Sequence, residues 1–199
     1  MLIGLTGTYC AGKNHVAAIL EKQGLPVLDV DKLGYKALEI KKEAILTEFG
    51  NDLLLEDNSL NRRLLGQRVF GKPDKLAALE VIVHPVMNRL AEEWITNQSS
   101  AFQHCVINAA ILHKSTVFKR LDIIILVTAP FFTRLLRAKR RDKLAIWDIL
   151  KRFSSQKNFI SQYLTANAEI YRVENPGFFF SKHLQKKLEC RITGILQGV

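Results

Sequence analysis

Eight consecutive residues near the amino terminus carry the most specific chemistry in the chain. Gly7-Thr8-Tyr9-Cys10-Ala11-Gly12-Lys13-Asn14 sets two glycines and a lysine in the pattern G-x-x-x-x-G-K, the signature of a loop that wraps phosphate groups. Gly7 and Gly12 permit backbone angles and close approaches that a side chain would obstruct. The loop's N–H groups then converge on phosphate oxygens, aided by the amino terminus of the following helix. Cys10, Ala11, Asn14 and His15 belong to the same stretch and join the expected nucleotide-contacting set. Lys13 reaches the β- and γ-phosphates as a point charge. The eighth position departs from the pattern, because Asn14 stands where Ser or Thr would bind Mg²⁺. A carboxamide oxygen is also a hard ligand, so Asn14 is the expected metal contact, directly or through a water. A chance Gly-Lys turn is the competing reading.

Asp31 follows a short segment, Pro26-Val27-Leu28-Asp29, that reads as a strand. The carboxyl ends of strands in an α/β sheet face the ligand crevice. A carboxylate there can accept a proton from an attacking hydroxyl, or orient it. Asp31 also precedes a helix expected from about Lys32, where capping is the competing role. Farther along, Arg137 and Arg141 are four apart and share one helix face. With Arg134, Lys139 and Arg140 they make a strongly basic segment. A solvated helix or a nucleic-acid-binding arm competes with a role at phosphates, although few aromatics interleave these charges.

These residues need a scaffold, and the pattern of apolar residues supplies one. Leu2-Ile3-Gly4-Leu5-Thr6 reads as a buried parallel strand. A helix follows from Gly12 to Gln23, with Val16, Ile19 and Leu20 on one face and Gly24 as its stop. With the strand at 26–29 this makes a β-loop-α-β unit, which favours a parallel sheet. From about Lys32 to Asn97 the chain is mostly helical, punctuated by Pro73, Pro85 and a turn at Asp57-Asn58-Ser59. His84 precedes Pro85, so its backbone is expected to be extended. Cys105-Val106-Ile107 and Ile123-Ile124-Ile125-Leu126-Val127 read as buried strands, and Ile170–Val173 as a fifth. Thr133–Gln156 is basic and helical. A turn at Glu174-Asn175-Pro176-Gly177 and a closing helix over Ser181–Leu196 complete the chain. Five strands alternating with helices point to a three-layer α/β/α fold with a five-stranded parallel sheet.

A chain of 199 residues fits one domain, or one domain with a small inserted lid. Its most apolar run, Leu121–Ala129, falls far short of the roughly 20 residues of a membrane span. Three widely spaced cysteines without a C-x-x-C pair argue against a disulfide framework or a zinc site, so a reducing cytoplasm is the expected setting. The net charge of +10 suits a polyanionic partner. Nucleic acid, a phosphorylated small substrate and a merely solvated surface all remain compatible with it.

An ordered series of segments resembles the dephospho-CoA kinases. Leu2–Gly7 with Gly12-Lys13 is similar to the family's opening, and Gly24-Leu25-Pro26-Val27-Leu28-Asp29-Val30-Asp31 resembles its "G-x-x-V-I-D-A-D". Leu60–Leu65 resembles "L-x-R-x-x-L", and Leu79–Pro85 resembles "L-x-x-I-x-H-P". Arg137, Arg141-Asp142, Arg152 and Gln156 fall at the spacing of its lid segment, and Glu174–Gly177 resembles its "D-N-x-G". One block departs. The family usually carries an acidic residue and Pro-Leu-Leu after the third strand, where this chain has Asn108-Ala109-Ala110-Ile111-Leu112-His113-Lys114.

The resemblance implies transfer of the γ-phosphoryl group of ATP, with Mg²⁺, to the ribose 3′-hydroxyl of dephospho-CoA. It implies Asp31 as the catalytic carboxylate, and Arg62 and His84 on the acceptor side. Lys13, Arg137 and Arg141 would act at the transferring phosphate, and Asn175 and Gly177 beside the adenine. It implies a core of about 1–31, 101–132 and 157–199, a helical substrate-binding region of about 32–100, and a lid of about 133–156. A monomer or weak homo-oligomer without nucleic-acid or membrane partners is the accompanying expectation. Another small-molecule or nucleotide kinase of the same fold, or a nucleotide-binding protein with weakened catalysis, stays open because of Asn14 and the 108–114 block.

Overall fold

The computed structural model describes residues 1–156, 159–163, 166–176 and 182–198. Strand β1 (Leu2–Gly7) lies at the centre of a five-stranded sheet of order β2-β3-β1-β4-β5. The other strands are β2 (Val27–Asp29), β3 (Cys105–Asn108), β4 (Ile123–Thr128) and β5 (Glu169–Glu174). β1 runs parallel to β3, with Ile3 opposite Val106, and to β4, with Leu5 opposite Ile125. β4 in turn runs parallel to β5. The expected parallel α/β architecture is therefore the observed one.

Every residue of β1, β3 and β4 is buried. Such continuous burial requires cover on both faces, and the alternation of side chains shows what supplies it. Ile3, Leu5, Ile123, Ile125 and Val127 share a core with Val16, Ile19 and Leu20 of α1 (Lys13–Lys22) and Leu188, Ile192 and Ile195 of α8 (Lys182–Gln197). On the alternate positions, Gly4 faces Leu112 and Leu121, and the hydroxyl of Thr6 lies 3.3 Å from that of the fully buried Tyr163. β5 is an edge strand, and accordingly only its Val173 is buried.

The chain divides into two compact units, Met1–Leu28 with Gln98–Val199, and Asp29–Asn97. The second is all-helical apart from one isolated bridge between Leu54 and Leu60. Its helices α2 (Val30–Ile40), α3 (Lys42–Phe49), α4 (Arg62–Val69) and α5 (Pro73–Ser99) enclose a core that includes Ala37, Ile45, Phe49, Leu65, Val83 and Val86. The expected turn at 57–59 forms around Asp57, whose Oδ1 accepts from the N–H of Ser59 at 3.0 Å, with Asn58 left-handed at φ 61°.

Two local expectations are corrected. His84 is not extended, because α5 runs straight through Pro85. Proline removes one helical N–H, but His84 and Pro85 sit on the exposed face, where water can satisfy the orphaned carbonyl, while Val83 and Val86 on either side stay buried. The helix after β2 also starts earlier than Lys32, at Val30, and Asp29 is its cap. In the first unit, the basic stretch forms two helices, α6 (Phe131–Asp142) and α7 (Ile146–Ser154), separated where Lys143 turns left-handed at φ 53°. Among the described residues, no helix is long and apolar enough to cross a membrane.

Candidate active site

The loop between β1 and α1 is shaped by contacts from distant parts of the first unit. Gly7 lies so close to β4 that a Cβ there would come within 2.8 Å of the carbonyl oxygen of Val127. The next residue, Thr8, donates its N–H to that same oxygen at 3.1 Å. Gly12 is left-handed at φ 91°, and a Cβ on it would collide with Nδ2 of Asn175 and come within 3.3 Å of Nη1 of Arg137. Only glycine fits here, for reasons of both angle and space. Helix α1 begins at Lys13 with no side-chain cap and no acidic residue in its first turn. Its positive end therefore suits an anion.

The loop's carbonyl oxygens are drawn away by two residues predicted from the sequence. Nη1 of Arg137 donates to the carbonyl of Ala11 at 2.8 Å and to that of Cys10 at 3.4 Å. Nδ2 of the buried Asn175 donates to the same Ala11 oxygen at 3.0 Å, and its Oδ1 accepts from Nη2 of Arg137 at 3.1 Å. These bonds occupy loop carbonyls that would otherwise repel an anion at the amino terminus of α1. Asn175, expected beside the adenine, is tied to this loop. Its N–H is committed to the carbonyl of Thr128 at 2.7 Å, and its side chain braces the phosphate loop. Gly177 lies outside the described residues.

Burial sets the charge states around this loop. It pushes the Cys10 thiol up, against the pull of Arg141, so that the group stays a neutral thiol rather than a nucleophilic thiolate. Burial, then the charge of Arg137, holds the His15 imidazole below 6.5, which leaves it neutral at pH 7. Burial also lowers Arg134 and Arg137, yet a guanidinium starts so high that both remain cationic.

Asn14, the expected metal contact, is one half of an amide pair. Its Oδ1 accepts from Nδ2 of Asn108, at the end of β3, at 3.4 Å. The Oδ1 of Asn108 is buried and, among the described residues, has no donor. A buried acceptor without a donor is costly in a dry site and suits a cation or its bound water. These two hard, neutral oxygens fit Mg²⁺ of the kind that phosphates mainly hold. Among the described residues, no group of three His, Cys, Asp or Glu could cage a metal without such help. The chain's departure from the acidic pattern at 108 is thus structurally linked to its departure at 14. That link joins residues 94 apart.

The remaining predicted residues lie as follows. Arg141 pairs with Asp142 through Nε at 2.6 Å and lies over the Tyr9 ring at 5.2 Å. Lys139 and Arg140 are exposed. In the helical unit, Asp31 is an exposed residue in the first turn of α2, and the capping role weighed for it belongs instead to Asp29, whose Oδ1 accepts from the N–H groups of Asp31 and Lys32. Arg62 is exposed and lies 4.7 Å above the Tyr35 ring, and His84 is exposed on α5. Tyr9 was missed as a functional residue. The one available signal was a large aromatic ring in a loop otherwise made of small residues.

A parallel α/β sheet with a G-x-x-x-x-G-K loop leaving its central strand defines a P-loop nucleotide-binding protein. The match to known sequences narrows this further, for residues 1–174 match the dephospho-CoA kinase family. The chain belongs to that family. It is 33% identical to a dephospho-CoA kinase of Treponema denticola over 94% of this chain and 87% of that one, and 32% identical to that of Treponema pallidum over 96% and 94%. A crystal structure of a Thermus thermophilus protein superposes with a TM-score of 0.80 at 30% identity, covering 100% of this chain and 97% of the other. A shikimate kinase from Bacteroides thetaiotaomicron shares the fold alone, with a TM-score of 0.55 at 12% identity.

Proposed function

We propose that this chain uses ATP and Mg²⁺ to phosphorylate the ribose 3′-hydroxyl of dephospho-CoA, giving coenzyme A and ADP. The observation that supports this most is the brace of Arg137 and Asn175 on the Ala11 carbonyl, which occupies that oxygen beside the positive end of α1, where a triphosphate would lie. Lys13, at the first position of α1, neutralises charge on the transferring group. Asp31 accepts the proton of the acceptor hydroxyl as its oxygen bonds to the γ-phosphorus, and the bond from that phosphorus to the β-γ bridging oxygen breaks to release ADP. Asn14 and Asn108 would hold Mg²⁺, which would supply positive charge to offset that of the phosphates. Arg62 and His84 serve the acceptor, and α6–α7 act as a lid whose Arg141 completes the charge stabilisation. A net charge of +10 is in keeping with two polyphosphate substrates in a soluble, cytoplasmic enzyme.

The test is to incubate the purified chain with ATP, Mg²⁺ and dephospho-CoA and to detect coenzyme A by mass. Asp31→Asn should lower turnover about 10²- to 10⁴-fold, the usual worth of a general base, with ATP affinity unchanged by calorimetry. An unchanged rate removes Asp31 from the mechanism. The neutral pair of Asn14 and Asn108 favours a second reading, a nucleotide-binding protein with weakened catalysis. ATP binding without product in the same experiment would select it.

A further inference from the structure

Tyr9 occupies the middle of the phosphate loop, yet all of its hydrogen-bonding groups are met by α6, α7 or the residues just after them. Its N–H donates to Oε1 of Gln156 at 2.7 Å. Its carbonyl accepts from Nε of Arg134 at 2.8 Å. Its hydroxyl donates to Oδ2 of Asp142 and accepts from Nη1 of Arg152 at 3.2 Å. The ring carries the guanidinium groups of Arg141 at 5.2 Å and Arg152 at 5.5 Å, and meets Phe153 edge-on at 5.8 Å. Arg134, having reached the Tyr9 carbonyl, stacks on Phe153 at 4.3 Å.

The charge states complete a one-way circuit. Burial raises the Tyr9 phenol, so it remains a donor. Asp142 is pulled down to about 2, first by its bond from Arg141 and also by that from Tyr9, so it remains an acceptor throughout the neutral range. The same carboxylate accepts from Arg141 through Oδ1 and from Arg152 through Oδ2 at 3.3 Å. One tyrosine thereby sets a carboxylate, and that carboxylate aims two arginines.

We propose that Tyr9 is the positioning residue of the lid, fixing Arg141 and Arg152 through Asp142 so that the phosphate loop and the lid arginines act in one register. The idea rests on the reading of α6–α7 as a lid over ATP. Tyr9 itself need not touch the transferring phosphate, because its polar side-chain atom is spent on Asp142 and Arg152. Its influence belongs to the step in which the arginines meet developing charge, and so to turnover rather than to ATP affinity.

The experiment compares wild type, Tyr9→Phe, Asp142→Asn and the double variant by steady-state kinetics with ATP and dephospho-CoA. Phenylalanine keeps the ring and its stacking, and loses only the hydroxyl. Each single change should lower kcat about tenfold, the worth of one charge-assisted hydrogen bond, with KM for ATP within about twofold. The double variant should be no slower than the slower single one, because both break the same link. An unchanged kcat in Tyr9→Phe overturns the proposal, as does a double variant whose losses multiply. A KM effect without a kcat effect overturns it too. Should the chain phosphorylate no dephospho-CoA at all, Trp147 on α7 gives an independent readout in a Trp94→Phe background. ATP should then shift its emission in the wild type and not in Tyr9→Phe, and equal shifts in both would refute the coupling.

Discussion

The phosphate loop and the helical unit hold their functional residues by opposite means. Around the loop, each brace spans most of the chain: Asn175 reaches Ala11 from 164 residues away, and Gln156 reaches Tyr9 from 147. In the helical unit the partners are near in sequence. Asp29 caps the turn that carries Asp31, and Arg68 bonds Asp52 from 16 residues away. The first region is half-buried and interlocked, whereas Asp31, Arg62 and His84 are exposed side chains on a helical scaffold. A loop that must aim backbone N–H groups at a fixed anion gains from rigidity. Residues that receive a bulky acceptor need access, and for them a well-packed core behind an exposed face is enough.

If that contrast holds, damage to the loop should be severe and damage to the helical face selective. The largest effect is expected from Gly12→Ala, which adds an atom where Asn175 already sits and imposes a left-handed angle on a residue with a Cβ. ATP affinity by calorimetry should fall by about 100-fold or more, the scale of losing preorganised donors, while far-ultraviolet circular dichroism reports an intact fold. Near-normal ATP binding would mean that the brace does not shape the site.

Arg62→Ala should be milder and one-sided. KM for dephospho-CoA should rise about tenfold as one charged contact is lost, and KM for ATP should not move. Equal changes in both constants would place Arg62 in the wrong region.

The smallest expected effect is a pH dependence. His15 is held neutral in the folded chain below the point where the unfolded chain would take a proton. Its contribution to stability is therefore complete above about pH 6.5 and declines as the pH falls below that, toward the folded-state value. Thermal midpoints between pH 7 and 5 should fall less in His15→Gln than in the wild type. Identical slopes would show that the ring is not constrained by the loop.

Much of this was legible from residue order. The strands at 2–7, 105–108 and 123–128 are unbroken apolar runs, and a run of that kind has few alternatives to a buried parallel strand. The G-x-x-x-x-G-K spacing located the loop because its glycines answer to backbone angle and close approach. The errors were made where two local rules competed. His84 before Pro85 suggested an extended backbone, but the burial of Val83 and Val86 carried the helix through. The helix after β2 was expected from about Lys32, with capping weighed for Asp31, but the bonds to Asp29 start it at Val30.

Local spacing and hydrophobic period thus settled the sheet, the phosphate loop and the basic helices, because those features are encoded over a few neighbouring residues. The partners of the loop were another matter. Tyr9 with Asp142 and Gln156, Asn14 with Asn108, and Gly12 against Asn175 meet because the parallel sheet returns distant segments to one edge. No periodicity in a chain records such meetings, since the free energy that brings them together comes from burying the core rather than from the residues that meet.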